Sequence, residues 1–261
     1  MYLPQPIRKI VGNAPYTCDQ IGKSGSSVLC FENMVLKIEP TDHKFESSVE
    51  MLRWLRGKVP VPEVLCAMEE DGRQYLLMSR IRGKMACDQA YTADPEALAD
   101  LLAEALKALW SVDLSGCPKE HRLEDDLEEA RKRVDLGLID MDDVQSDTFG
   151  EDGFRDPTHL LQWLTDNQPP LEPVLSHGDF CLPNVFFEDG TLSGFIDLGG
   201  CGISDKWRDI ALCYRSLRDN ISGHYASEPV ADFDPDILFE KLGIQPNREK
   251  LRYYILLDEL F

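Results

Sequence analysis

A chain of 261 residues is long enough for one large domain or two lobes with a substantial core, which excludes a small fold stapled by disulfides. With 43% hydrophobic and 28% charged residues, it has the balance of an ordinary folded protein and not of a disordered tail. Its 47 acidic against 27 basic side chains leave a net charge of -20, which disfavours nucleic acid and anionic membranes as partners and favours a cationic ligand.

Short β-like runs at 16–21, 28–31 and 34–38, split by the Gly/Ser-rich stretch 22–27, predict a strand meander. Phe45, Val49, Leu52 and Leu55 recur at helical spacing, and Gly57, Pro60 and Pro62 end that helix. Two more strands are predicted at 63–68 and 74–78, followed by a connector through Gly83. Beyond residue 95 helical periodicity dominates. Asp94-Pro95 opens a helix to Trp110, and further helices are predicted at 123–136, 159–166, 205–219 and from Asn247 onward. Apolar runs at 174–175, 185–187 and 194–196, separated by Gly and Asp, read as strands carrying loops.

The 8 cysteines form no C-x-x-C pair and have no His at zinc-ligand spacing, so they read as reduced intracellular thiols. The first residues lack the apolar core of a signal peptide, and no run approaches a membrane span, which predicts a cytoplasmic protein. Gly22-Lys23-Ser24 matches the end of a P-loop, but Thr17 stands where its first glycine should be, and the turn joins two strands without opening a helix. A P-loop is therefore rejected.

The segments that carry chemistry lie further on. His177-Gly178-Asp179 through Asn184 has the spacing H-x-D-x-x-x-x-N, in which an Asp engages a substrate hydroxyl and an Asn holds a metal ion. Asp197-Leu198-Gly199, thirteen residues after Asn184, stands where a D-F-G element supplies the second metal ligand. Val35-Leu36-Lys37 ends an apolar strand as V-A-I-K does. Each piece alone is weak, but their order on the expected elements is specific.

On the segments 177–184, 193–199, 205–211 and 256–261 the sequence resembles the aminoglycoside phosphotransferases of the 3′-hydroxyl branch, across essentially the whole chain. The resemblance implies an α+β, two-lobed protein-kinase-like fold, with a small β-rich nucleotide-binding lobe at 1–80 and a larger, mostly helical catalytic lobe at 81–261. It also implies transfer of the γ-phosphoryl group of ATP, with Mg²⁺, to an aminoglycoside. Asp179 would be the catalytic base, Asn184 and Asp197 the Mg²⁺ ligands, and Lys37 the phosphate-binding lysine. Ser24 and Ser26 in the turn, and Met78, Ser79 and Ile81 in the connector, would contact the nucleotide. Asp209 would brace the catalytic loop. Two rival readings share this core: a kinase of another small hydroxyl compound, of choline or amino-sugar type, and a weakly active nucleotide-binding scaffold.

Three positions depart from the family pattern. The glutamate that pairs with the lysine is replaced by Ser48, so that Glu46, or else Glu50, is expected to substitute. Gly200 replaces a common Arg, and Val35 replaces an aromatic residue at the base. For the acceptor, the resemblance assigns Asp143 and Asp147 in an acidic loop, Arg215 and Asp219 on a helix, and Asp258, Glu259 and the Phe261 carboxylate at the end of the chain. Negative charge at that last helix C-terminus is locally unfavourable, which suggests a cationic ligand.

Overall fold

The structure is a computed structural model that describes residues 3–19, 27–42, 44–142, 144–151, 153–225 and 229–261. A short helix, α1 (Gln5–Val11), precedes a five-stranded antiparallel sheet of β1 (Thr17–Asp19), β2 (Ser27–Cys30), β3 (Met34–Pro40), β4 (Val64–Glu70) and β5 (Arg73–Ser79), in the order β1-β2-β3-β5-β4. Helix α2 (Phe45–Leu55) connects β3 to β4. The alternation in β3 buries Leu36 and Ile38 beneath the sheet. Lys37 and Glu39 consequently share the opposite face, because side chains two apart on a strand point the same way.

After β5, a two-residue strand β6 (Lys84–Met85) and the single turn α3 (Gln89–Thr92) lead into α4 (Pro95–Trp110). Asp94 caps α4 by accepting a hydrogen bond from the Ala97 N–H, with Pro95 in the first turn. Helices α5 (Leu123–Asp135) and α6 (Pro157–Asp166) follow, the latter capped by Asp156 in the same way. Strand β7 (Pro173–Ser176) and the hairpin β8 (Val185–Glu188) and β9 (Thr191–Phe195) flank the catalytic-type loop. Strand β10 (Gly202–Asp205) pairs with β7 and runs into α7 (Lys206–Ile221), and α8 (Ile237–Leu242) and α9 (Arg248–Asp258) complete the helical part. Sequence periodicity anticipated the longer elements; α1, β6, α3, β10 and α8 are too short to carry a periodic signature.

The described residues form two hydrophobic cores. One lies under the sheet and is built from Ile7, Val11, Leu29, Phe31, Leu36, Ile38, Tyr75 and Leu77. The larger runs through the helical part from α4 to α9, and it also takes in Met51, Leu52 and Leu55 of α2. That helix is thus anchored to the helical side of the cleft. No disulfide joins the cysteines, and among the described residues no helix is long and apolar enough to cross a membrane.

The end of the chain corrects the charge argument made from sequence. Asp258 pairs with Arg215, while Arg133 donates to the Leu260 and Phe261 carbonyls, with Nε 2.9 Å from the former. The anions at this helix end are therefore compensated from within the protein. The Glu259 side chain is 2% exposed, and its Oε2 accepts from the Gln145 N–H at 2.9 Å.

Candidate active site

The loop between β7 and β8 is held from below by one buried carboxylate. Asp209 on α7 accepts hydrogen bonds from the Ser176 hydroxyl (2.9 Å), the His177 N–H (2.7 Å) and the Gly178 N–H (3.0 Å). Burial raises the pKa of Asp209, against the pull of His177 and these donors. His177 packs edge-on against Phe180 and Phe195, and burial lowers its pKa, which favours the neutral ring. Its Nδ1 accepts the Asp179 N–H at 3.3 Å.

That scaffold fixes Asp179. Asn184 Nδ2 donates to Asp179 Oδ2 at 2.9 Å, and Cys181 Sγ donates to Oδ1 at 3.2 Å. Burial, and then the neighbouring carboxylate, push the Cys181 thiol well above its ordinary pKa, so it remains a donor. The Asn184 carbonyl accepts the Ile196 N–H at 2.9 Å, which ties this loop to the one bearing Asp197. Asp197 sits in the left-handed region at φ 56°, and its Oδ1 is 3.3 Å from Lys37 Nζ.

Lys37, Asp197, Met78, Ser79 and Ile81 line one cavity of about 900 Å³, together with Val35 at the expected base position. Cys181 and Pro183, from the same loop that carries Asp179, line a second cavity of about 390 Å³ with Arg215 and Asp219. Of the residues expected at the acceptor, Arg215 and Asp219 thus share a cavity with the 179–184 loop, whereas Phe261 lines the larger cavity beside Lys37 and Asp197. Asp147 is exposed on its own loop. Ser24, Ser26 and Asp143 lie outside the described residues.

Glu46 is a correction. It is exposed on α2 and does not line the cavity; Ser47 and Ser48 do. Lys37 instead pairs with Glu39, on its own strand at 3.1 Å, as well as with Asp197. Burial opposes the Lys37 charge, but Asp197 and Glu39 outweigh it and raise its pKa.

Sequence reasoning missed a brace around Gly200. Lys119 Nζ donates to the Gly199 carbonyl at 2.6 Å, bringing a cation to the loop where Gly200 provides none. His121 Nδ1 lies 3.2 Å from the Gly200 carbonyl, and both His121 and Arg208 engage Asp126, while Arg208 Nε donates to the Gly178 carbonyl at 3.1 Å. Burial acts to raise the Asp126 pKa, but His121 and Arg208 overcome it and hold the carboxyl below its ordinary range. No local pattern could join residues 121, 126 and 208, which are brought together only by the fold.

A β-sheet lobe with a strand lysine, facing a helical lobe whose two loops present Asp179, Asn184 and Asp197, defines a phosphotransferase of protein-kinase-like architecture. The sequence model described as "Phosphotransferase enzyme family" matches residues 25–242, and the chain belongs to that family. It is 37% identical over 274 aligned residues to the aminoglycoside 3′-phosphotransferase of Enterococcus faecalis, covering 100% of this chain and 99% of the relative. The enzyme of the same name from Staphylococcus aureus is 36% identical, with the same coverage. Among solved structures, the aminoglycoside phosphotransferase APH(3'')-Id of Streptomyces rimosus has the same fold, with a TM-score of 0.82 at 24% identity over 97% of this chain and 95% of that one.

Proposed function

We propose that the protein phosphorylates the 3′-hydroxyl of aminoglycosides with ATP, inactivating the antibiotic. The observation that carries this reading is the Asp179 carboxylate, held by Asn184 and Cys181 on a loop that also lines the smaller cavity and is tied to the Lys37–Asp197 side of the larger one. The identity of about a third or more with full-length enzymes named aminoglycoside 3′-phosphotransferase supports both the acceptor class and the position modified.

In this reading ATP occupies the larger cavity, with its base between Val35 and residues 78–81 at and just beyond the end of β5, and its phosphates toward Lys37. The acceptor occupies the smaller one. Asp179 orients the attacking hydroxyl and takes its proton as the oxygen–phosphorus bond forms and the bond to the ADP oxygen breaks. Phosphoryl transfer needs mainly positioning and charge neutralisation, so few side chains suffice. Asp197 and the Asn184 side-chain oxygen would hold Mg²⁺, two hard donors that suit a cation completing its shell from phosphates and water. When bound, that ion neutralises the triphosphate charge. Asp219 gives the acceptor cavity a carboxylate for an ammonium group, and the net charge of -20 favours a polycation at long range.

A coupled assay of ADP release with kanamycin, neomycin, a 3′-deoxy analogue and choline tests reaction, acceptor and position together. Turnover with the first two and none with the others is the expected result. Equal turnover of the 3′-deoxy analogue would move the reaction to another hydroxyl, and exclusive use of choline would replace the acceptor class.

A further inference from the structure

The large cavity holds a lysine without the helix partner that its role calls for. On the α2 side of Lys37 the cavity is lined by Ser47 and Ser48, and the Ser48 hydroxyl is turned back to the Lys44 carbonyl of its own helix at 3.0 Å. Glu46 and Glu50 on the same helix are exposed and do not line the cavity. Besides Asp197, the carboxylate that approaches is Glu39, two residues along β3 from Lys37 and on the same face, with Oε1 3.1 Å from Lys37 Nζ.

Glu39 is itself held. Its Oε2 accepts a hydrogen bond at 3.1 Å from Nε2 of Gln74, its direct cross-strand neighbour on β5. Gln74 is only 7% exposed, and its Oε1 accepts the Asp42 N–H at 2.9 Å. A backbone group, a buried amide, a carboxylate and an ammonium thus form one line of hydrogen bonds ending in the cavity. An ammonium has three donors; Glu39 engages Lys37 from the strand side and Asp197 accepts a second at 3.3 Å, which leaves one for a ligand in the cavity.

We infer that Glu39 is the positioning residue for Lys37, fixing the lysine from its own strand in place of a carboxylate on α2. The inference rests on the proposed role of Lys37 at the ATP phosphates. It gives the pair a property a helix partner would not: Lys37 keeps its orientation wherever α2 stands relative to the sheet, because lysine and glutamate belong to one strand.

The test compares Glu39→Gln, Lys37→Met and the double variant Glu39→Gln/Ser48→Glu, measuring KM for ATP, KM for the acceptor, kcat and melting temperature. Glu39→Gln should raise KM for ATP by about tenfold, the scale of one charge-assisted hydrogen bond, and leave acceptor KM and melting temperature essentially unchanged. Ser48→Glu, which installs a carboxylate on the helix face lining the cavity, should restore most of that loss. Should the glutamine variant fold poorly, Glu39→Asp keeps the charge but shortens its reach and should raise KM for ATP in the same direction. The inference is overturned if Glu39→Gln binds ATP like the parent while Lys37→Met does not. If Lys37→Met also leaves ATP kinetics intact, it is the role of Lys37 that fails, and Glu39 has nothing to position.

Discussion

Gly178 and Gly200 pack backbone against backbone: a Cβ built on Gly178 would lie 2.2 Å from the Gly200 carbonyl oxygen. Gly178 also has φ +85°, which side chains rarely adopt, and its N–H and carbonyl are both engaged, by Asp209 and Arg208. The contact therefore locks the loop bearing Asp179 to the loop bearing Asp197.

The two glycines should respond differently to the same change. Gly178→Ala must push the loops apart and accept a strained φ, so we expect a melting temperature lower by several degrees and loss of most activity. Gly200→Ala meets its nearest neighbour at 3.4 Å, an ordinary contact, and should stay within about 1 kcal/mol of the parent. Thermal melts of both variants check this; equal losses would mean that the contact is not what limits either position.

Asp179→Asn retains an oxygen that can accept from Asn184 but loses the proton acceptor. The expected result is an unchanged melting temperature with kcat reduced by about 10²- to 10⁴-fold. Single-turnover kinetics at saturating ATP separates this from slow product release, and near-parental rates in the folded variant would remove Asp179 from the proposed role.

Removing residues 258–261 should be costly to the fold. Leu260 is fully buried, Glu259 nearly so, and Arg215 and Arg133 would both lose partners. Loss of one buried leucine alone is worth about 2 to 5 kcal/mol, so the melting temperature should fall by many degrees. Charge considered by itself argues the reverse, since the deletion removes anions from a helix C-terminus. A truncated protein as stable as the parent would show that packing at this end is dispensable.

Acid should expose the contribution of Glu172. The Lys206 hydrogen bond, assisted by Lys250 and the Trp207 indole and opposed by burial, pushes its pKa down to about 2 from a model-compound value of 4.5. A carboxyl depressed on folding stabilises the protein above its unfolded pKa, and this stabilisation is lost as pH falls from about 4.5 toward about 2. Because the Glu172 side chain is 45% exposed, the effect is about 1 kcal/mol or less. Glu172→Gln should melt lower than the parent at pH 7, with the difference closing over that interval; a constant difference would place the effect in packing.

What the sequence made legible follows the range of the interactions involved. The span of α4 could be read from Asp94-Pro95 and an unbroken apolar stripe, because capping and periodicity are local. Asp179, Asn184, Asp197 and Lys37 could be singled out as candidates because each lies in a short motif on one loop or strand. Glu39 could not, since its significance depends on Gln74, 35 residues away across a strand register. Arg133 and Arg215 were missed as counterions of the chain's end for the same reason. Charge read along one helix says nothing of what a neighbouring helix brings to it.

The division of the interior into two cores has a consequence for cooperativity. Among the described residues the sheet rests on eight buried ones of its own, whereas α2 shares the far larger core of the helical part through Met51, Leu52 and Leu55. Opening free energy scales with the buried apolar contacts that must be broken, so the sheet forms a less stable cooperative unit than the helices. Amide protons of β2, β3 and β5 should exchange with solvent through a partial opening that leaves α2, α4 and α7 protected. Native-state hydrogen exchange would register this as two plateaus, and a nucleotide filling the cleft between the units would raise the lower one toward the higher.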